Sequence, residues 1–473
     1  MRSRAIVFAV LLTSTEGGLL SCSSGNNSSS PPTGEAGADG AVTDASTGDV
    51  ATGDAHAQGG DAAANDAPVS DAPISDAPIS DAAGDRSTQD AGVPSRLLLS
   101  YNSYVGDDPG EVVAFDLASS SVAGRFEYTG AGTTYVGTTA PWLLEQGVDV
   151  VARLDAAKPW LVDSSWNVAE DIPDVFSNAN PQAVIVGAGD KAYVLPYLRN
   201  AISVIDTSSA VDGGLPLKTI DLSALVQAGG DGTLEMTAGV YVPSKQRVYV
   251  LLGNINQNSY NASTGYLTCA GQAAPTVIAI DTTTDSLVAL DGGPGGPGVP
   301  LPGRNPVFGQ GSMAYDAVAD RLLVLQGGCT SVTEDGGTST LVGEEVDQLS
   351  LDTGATSVLL GFTAAQQFPA QLVYVDAHHA IVQVGFGPFT TYTWDPTTTA
   401  LGAIIPNAPD GFAWDGVGNL LGVTARHDPD SGDVTGYDVV SVTVPTGTVT
   451  KLASDPFSLT GGGLTGVQLW PAP

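Results

Sequence analysis

Between Arg96 and the C terminus one pattern recurs seven times: an apolar run ending at a turn residue, a few small polar residues, and a second apolar run. The copies read VVAFDLASSSVAGRF from Val112, VVARLDAAKPWLVDSSW from Val150, ISVIDTSSAVDGGLPLKTI from Ile202, TVIAIDTTTDSLVAL from Thr276, DQLSLDTGATSVLLGF from Asp347, TTYTWDPTTTALGAII from Thr390 and VVSVTVPTGTVTKL from Val439. In six copies the turn opens on aspartate, at Asp116, Asp155, Asp206, Asp281, Asp352 and Asp395; in the last it is Pro445-Thr446-Gly447. An aspartate there can accept from the backbone N–H two residues on, which fixes a hairpin. Each copy thus supplies the third and fourth strands of a repeating unit.

A second pattern precedes it in units three to seven. Two apolar strands flank a short polar turn, as in AVIVGAGDKAYVL, VYVPSKQRVYVLL, MAYDAVADRLLVL, LVYVDAHHAIVQV and FAWDGVGNLLGV. Unit two shows a fainter version around Tyr135 to Leu144. Unit one lacks its first strand, because Leu97 to Tyr101 already reads as a second strand. The missing piece stands at the other end of the chain, where Leu464 to Pro471 (LTGVQLWP) resembles Met236 to Pro243 (MTAGVYVP). A chain that ends by completing its own first unit closes a ring and leaves no open sheet edge. The expected fold is all-β: a seven-bladed β-propeller over residues 96–473, closed by the C-terminal strand and preceded by a disordered tether.

Lys191 to Leu222 resembles the YVTN family of bacterial β-propeller repeats. Tyr193-Val194 and Asn200-Ala201-Ile202-Ser203-Val204-Ile205-Asp206-Thr207 carry the likeness, with Pro196 where the family has Asn. The other units keep the plan with weak identity. The resemblance implies a surface or secreted protein, and some relatives of the family are metal or quinone enzymes.

The first 95 residues read as address and tether. Arg2 and Arg4 precede a short apolar core, Ala5 to Leu12, far too short to span a membrane. Residues 1–21 are therefore expected to be a signal peptide. Leu19-Leu20-Ser21-Cys22 resembles the lipobox of bacterial lipoproteins, which implies that Cys22 becomes the lipidated N terminus. Ser23 after it resembles the outer-membrane choice of Gram-negative lipoproteins. Residues 22–95 are rich in Ala, Asp, Gly, Ser and Pro, with the short repeat DAPVS-DAPIS-DAPIS and, from Ser23, twelve acids to one basic residue. Without aromatic side chains such a segment cannot offset the entropy of ordering. A flexible chain of this length spans about 45–50 Å.

The net charge of −35 argues against a nucleic-acid partner, whose phosphates need Lys and Arg, and against docking on anionic lipid by charge. Three cysteines and four histidines leave little for redox or metal chemistry. His378-His379 is the one histidine pair, and it falls in a first-to-second-strand turn, where a solvated turn is the expectation. Asp428, Asp430 and Asp433 lie at calcium-loop-like spacing with Gly432, but the distal glutamate of a full loop is absent. Calcium is the one cofactor the residues leave open. Glu344-Glu345 with Asp347 carries the same two readings, cation ligands or a solvated strand entrance, and the second is the expectation. There is no Gly-x-Ser-x-Gly elbow, Walker loop or His-Glu-x-x-His.

Strands that alternate in direction sort their connections onto two faces. First-to-second and third-to-fourth turns share one face and are nearly all short. The second face collects the long connections: 169–181, 223–235, 254–275, 291–306, 327–345 and 426–437. Long loops on a rigid scaffold are where binding usually resides. Asn254, Asn256, Asn258, Tyr260 and Tyr266 mark the candidate binding face. Cys269 and Cys329 lie on it in neighbouring units, and in an exported compartment they are expected to pair, against the alternative of two free thiols. The functional expectation is a monomeric, lipid-anchored binding or scaffold module with an envelope protein or glycan ligand. The alternative is a metal-dependent hydrolase or lactonase-like enzyme, using a few Glu, Asn and Asp side chains at the channel mouth.

Overall fold

The computed structural model describes residues 94–472, except 104–108, 170–177, 209–210, 228–229, 262–265, 291–295, 333–338 and 386–387. The signal segment, Cys22 and all but the last residues of the tether lie outside the described residues. Among the described residues no helix is long and apolar enough to cross a membrane.

Seven antiparallel blade sheets follow one another along the chain, and in all but the first the strands run in chain order from the channel outwards. The first strands of nearly all successive blades touch one another around the ring, and so line a central channel. The ring closes between the chain ends. Gly462–Trp470 pairs with Arg96–Ser103, Arg96 opposite Trp470 and Ser103 opposite Gly462. Blade one is thus a four-stranded sheet whose innermost strand is the last of the chain. Trp470 also reaches blade two, its Nε1 donating to the Ala156 carbonyl at 2.7 Å.

The inner strands are buried on both faces, which is why they read as unbroken apolar runs. Along Arg96–Ser103 successive side chains alternate sides. Leu97 and Leu99 meet Val423 and Val439 of blade seven, while Leu98 meets Val136 of blade two. Every pair of neighbouring blades shares such an apolar layer. Outer strands such as Thr448–Ser454 are largely exposed.

On the first face, five of the six turn aspartates accept backbone N–H groups two or three residues on, at Asp116, Asp155, Asp206, Asp281 and Asp395. Asp352 instead meets Lys245 of blade four at 3.2 Å. Cations at the start of second strands tie three successive blades to the next. Lys191 of blade three meets Asp285 of blade four at 2.7 Å, and Lys245 meets Asp320 of blade five at 2.8 Å. Arg321 of blade five donates to the Pro396 carbonyl of blade six at 2.9 Å. His378 and His379 are solvated here, beside Asp395 and Asp376.

Two stretches expected as irregular loops are hairpins. In blade five the second and third strands, Arg321–Val332 and Ser339–Ser350, stay paired out to Val332 opposite Ser339. In blade seven Asn419–His427 and Val434–Thr443 pair out to His427 opposite Val434. Their polar Thr, Ser and Gly residues hid the strands from an apolar-pattern reading, although backbone pairing needs no apolar side chain. Blade four's outer strand is split in two: Ser286–Val288 and Gly298–Pro300 pair with successive halves of Thr276–Asp281.

Candidate functional site

The upstream halves of the first strands point to the second face, and several carry amides or hydroxyls there, among them Thr133, Gln182, Gln371 and Thr465; Gln468 lines the same space from further down its strand. With the connection from blade four into blade five they enclose a cavity of about 380 Å³ in the channel.

That connection shapes the wall. The Gly309 N–H donates to the Thr237 carbonyl of blade four at 3.1 Å, and the Leu372 N–H of blade six donates to the Gly311 carbonyl at 2.8 Å. Phe308 packs against Tyr197 of blade three with ring centroids 5.2 Å apart. Gln310 crosses the channel to blade two, donating to the Val136 carbonyl at 3.1 Å and accepting from the Val136 N–H at 3.3 Å. A side-chain amide here pairs with a main-chain one as a strand residue would. The path requires glycine at 311, where φ is +98° and a Cβ would stand 3.2 Å from Gln371.

No Lys, Arg or His is among the described residues lining the cavity, and its single carboxylate is Asp410. The rest is amides, hydroxyls, apolar groups and the rings of Tyr135, Tyr197, Phe308, Phe368, Phe389 and Phe412. Several groups of the wall are already engaged, among them Gln371 and Gln383, whose Nε2 atoms donate to the Phe412 and Pro409 carbonyls at 3.0 Å each. Asp410 accepts from the Ala425 N–H at 2.8 Å, and burial raises its pKa. Asn102 Oδ1 accepts from the Gly132 N–H at 3.2 Å and from the Tyr128 hydroxyl.

Behind the wall, further acids hold the connections of the second face. Glu111 accepts from the Ser458 N–H at 2.9 Å, and Asp149 from the N–H groups of Ala179 and Asn180 at 2.7 and 3.0 Å. Glu235 accepts from the Ile255 N–H at 2.7 Å, and Glu344 from the Phe368 N–H at 2.8 Å. A carboxylate on a buried N–H satisfies a donor that the loop cannot. Burial raises the pKa of Asp149, Glu235 and Glu344; Asp231 beside Glu235 pushes it further. Burial also raises Tyr197, with Glu235 and Asp231 adding to it.

The expectation of a solvated entrance at Glu344-Glu345-Asp347 is corrected here. Asp347 is wholly buried and Glu344 nearly so. The hairpin continues past them, and the blade-four connection lies over them, so they sit inside a sheet interface rather than at a strand end.

The described residues from Asn254 to Pro275 are held largely by the segment's own polar groups. Asn254 is buried, its amide donating to the Ala274 carbonyl at 2.9 Å. Asn256 Oδ1 accepts from the Asn258 N–H at 3.1 Å. Tyr260 is exposed, and its backbone pairs with Leu267 as that of Asn261 does with Tyr266. Asn254, Asn256, Asn258 and Tyr260 do not line the cavity. A disulfide joins Cys269 to Cys329 across blades four and five, and Cys269 N–H donates to the Thr330 carbonyl at 2.8 Å. Asp428 is occupied by the N–H groups of Asp430 and Ser431, at 2.8 and 3.1 Å, as a turn aspartate. The Asp433 N–H donates to Ser431 Oγ at 3.3 Å. Among the described residues no group of three or more His, Cys, Asp and Glu side chains is placed to hold a metal ion.

No protein-family model matches the chain, and no curated protein sequence matches it. Solved structures do. A 6-phosphogluconolactonase-like protein of Bacteroides fragilis is 11% identical, covering 81% of this chain and 99% of its own at a TM-score of 0.47. A periplasmic gluconolactonase of Pseudomonas aeruginosa is 14% identical, with 80% and 99% covered and a TM-score of 0.46. AztD of Citrobacter koseri in its apo form is 10% identical, with 79% and 98% covered and a TM-score of 0.43. The propeller assignment rests on the strand pairing itself.

Proposed function

We propose that this chain is an exported, lipid-anchored propeller of the YVTN type that binds an uncharged, polyhydroxylated ligand of the saccharide class in the channel of its second face. One observation carries the reading: a cavity of about 380 Å³ whose lining, among the described residues, holds amides and aromatic rings with one carboxylate and no cation. Its volume falls in the range of roughly 300–1,000 Å³ usual for small-molecule sites. Amides give and accept hydrogen bonds without selecting for charge, and ring faces suit the apolar face of a sugar. The net charge of −35 disfavours anionic ligands before they reach the channel. Export is supported by the Arg2-to-Cys22 segment and by the Cys269–Cys329 disulfide, which suits an oxidising compartment.

Thermal melting of the protein with neutral mono- and disaccharides, set against sugar phosphates and sugar acids, tests the ligand class. A shift with members of the neutral set alone is expected; shifts confined to the anionic set would overturn it. The anchor is tested separately. Cys22→Ser should move the protein out of the membrane fraction, and unchanged membrane partition would sink that part.

A further inference from the structure

The corner between blades four and five holds two carboxylates that the cavity does not use. Glu345 and Asp347 lie two apart on one strand, so they share a side of the sheet, and Gln326 stands opposite Glu345 on the neighbouring strand. Asp347 and Gln326 are wholly buried. Asp347 Oδ2 accepts from the Gly303 N–H at 2.9 Å and from Gln326 Nε2 at 3.0 Å. Its Oδ1 and Gln326 Oε1 have no hydrogen-bond partner among the described residues. Glu345 is in hydrogen-bonding reach of Asp347. The connection closes over the group at Gly303, where a Cβ would come 2.4 Å from Gln326 Cγ and 2.9 Å from Asp347 Oδ2.

Two carboxylates in contact, with unpaired buried oxygens beside them, call for a cation or a proton between them. Two oxygens each roughly 2.3–2.6 Å from one calcium ion stand about as far apart as two oxygens in hydrogen-bond contact. The charge of Arg304 favours ionised Glu345 from a distance, but its Nη1 donates to the Pro302 and Gly303 carbonyls at 3.0 and 2.8 Å, and among the described residues no ion pair joins it to either carboxylate. We propose that Asp347, Glu345 and Gln326 form the protein side of a calcium-class cation site that fastens the blade-four connection onto blade five. Water completes the shell on the side of the partly exposed Glu345. The site is independent of the channel ligand and of the Asp428 turn.

The test uses the whole mature protein, stripped with chelator and melted against increasing calcium. Any calcium held by the acids of the tether is alike in every variant, so the comparison between variants isolates the site. Wild type should melt higher by roughly 2 °C or more at saturating calcium. Asp347→Asn should abolish the rise, and Asp428→Asn should keep it. If Asp347→Asn does not fold, Glu345→Gln serves on the accessible side and should raise the calcium midpoint at least tenfold. A wild-type protein indifferent to calcium, or a rise that survives both Asp347→Asn and Glu345→Gln, overturns the proposal and leaves a shared proton as the occupant.

Discussion

The two faces of this propeller use most of their aspartates and glutamates in opposite ways, Asp221 and Asp428 being turn aspartates of the first kind on the second face. On the first face, turn aspartates are solvated and accept N–H groups from the next two or three residues. Those bonds favour the charged form, and the pKa values of Asp116, Asp206, Asp281, Asp376 and Asp395 fall below the ordinary carboxylate value. On the second face Glu145, Asp149, Glu235, Glu344 and Asp410 are held where burial dominates, and theirs rise. The first face is a belt of short turns and inter-blade ion pairs. The second has a cavity, long connections and a disulfide. One face fastens the ring, and the other is shaped around a space.

Removing the frame beneath both faces should have the largest effect. Deleting Leu464 to Pro473 takes away the inner strand of blade one and bares the inner edge of Arg96–Ser103. Loss of cooperative unfolding is expected in thermal or denaturant melts; an unchanged Tm would show that closure does not hold the ring.

The next test removes one fastener of the first face. Arg321 pairs with the buried Asp316 at 3.0 Å and reaches blade six. Arg321→Ala leaves Asp316 without its counter-charge and should cost about 3 kcal/mol in chemical denaturation, since breaking a buried pair costs roughly 3–5. A loss below about 0.5 kcal/mol would class it with surface pairs that contribute little.

The disulfide is the matching fastener of the second face. It closes a sequence separation of 60 residues, for which chain entropy alone gives about 4 kcal/mol, and native-state strain lowers such values in practice. Cys269→Ser with Cys329→Ser should cost about 2–4 kcal/mol and expose the 254–275 loop to protease first. Equal cleavage rates with and without the bridge would mean that the loop's own hydrogen bonds suffice.

Acidity offers the mildest test. A depressed carboxylate contributes stability above its unfolded pKa and loses it as pH falls through the folded value. A raised one contributes most below its unfolded pKa and loses it as pH rises through the folded value. Asp347, pushed up to about 7 by burial and then by Glu345, sets the upper end of that window for the calcium-free protein. Without calcium, Tm should peak in mildly acidic buffer and fall towards pH 7; a peak above neutrality would contradict the division between the faces.

Much of the fold was legible because both its signals are local. Five of the six aspartate turns cap within their own hairpin, and a strand buried on both sides is largely apolar. Closure was legible because LTGVQLWP repeats the first-strand pattern of MTAGVYVP. The cavity was not. Gln310 and Val136 lie 174 residues apart and meet only because the ring brings blades two and five across the channel. Glu111, Glu235 and Glu344 sit among polar or Gly-rich residues like any loop acid, and only the neighbouring connection buries them. The asparagines of 254–275 were conspicuous for their density, yet much of their hydrogen bonding shapes the loop.

The central claim is that the second-face cavity, and not the first face, binds the ligand. Calorimetric titration of the best neutral saccharide from the melting screen into three proteins tests it most directly. Wild type and Lys245→Ala, altered on the first face, should bind with equal affinity. Gln468→Ala, altered in the cavity wall, should fold with an unchanged Tm and bind at least tenfold more weakly, because a truncated amide leaves a ligand hydroxyl unpaired. Equal affinity in Gln468→Ala, or loss in Lys245→Ala instead, would contradict it.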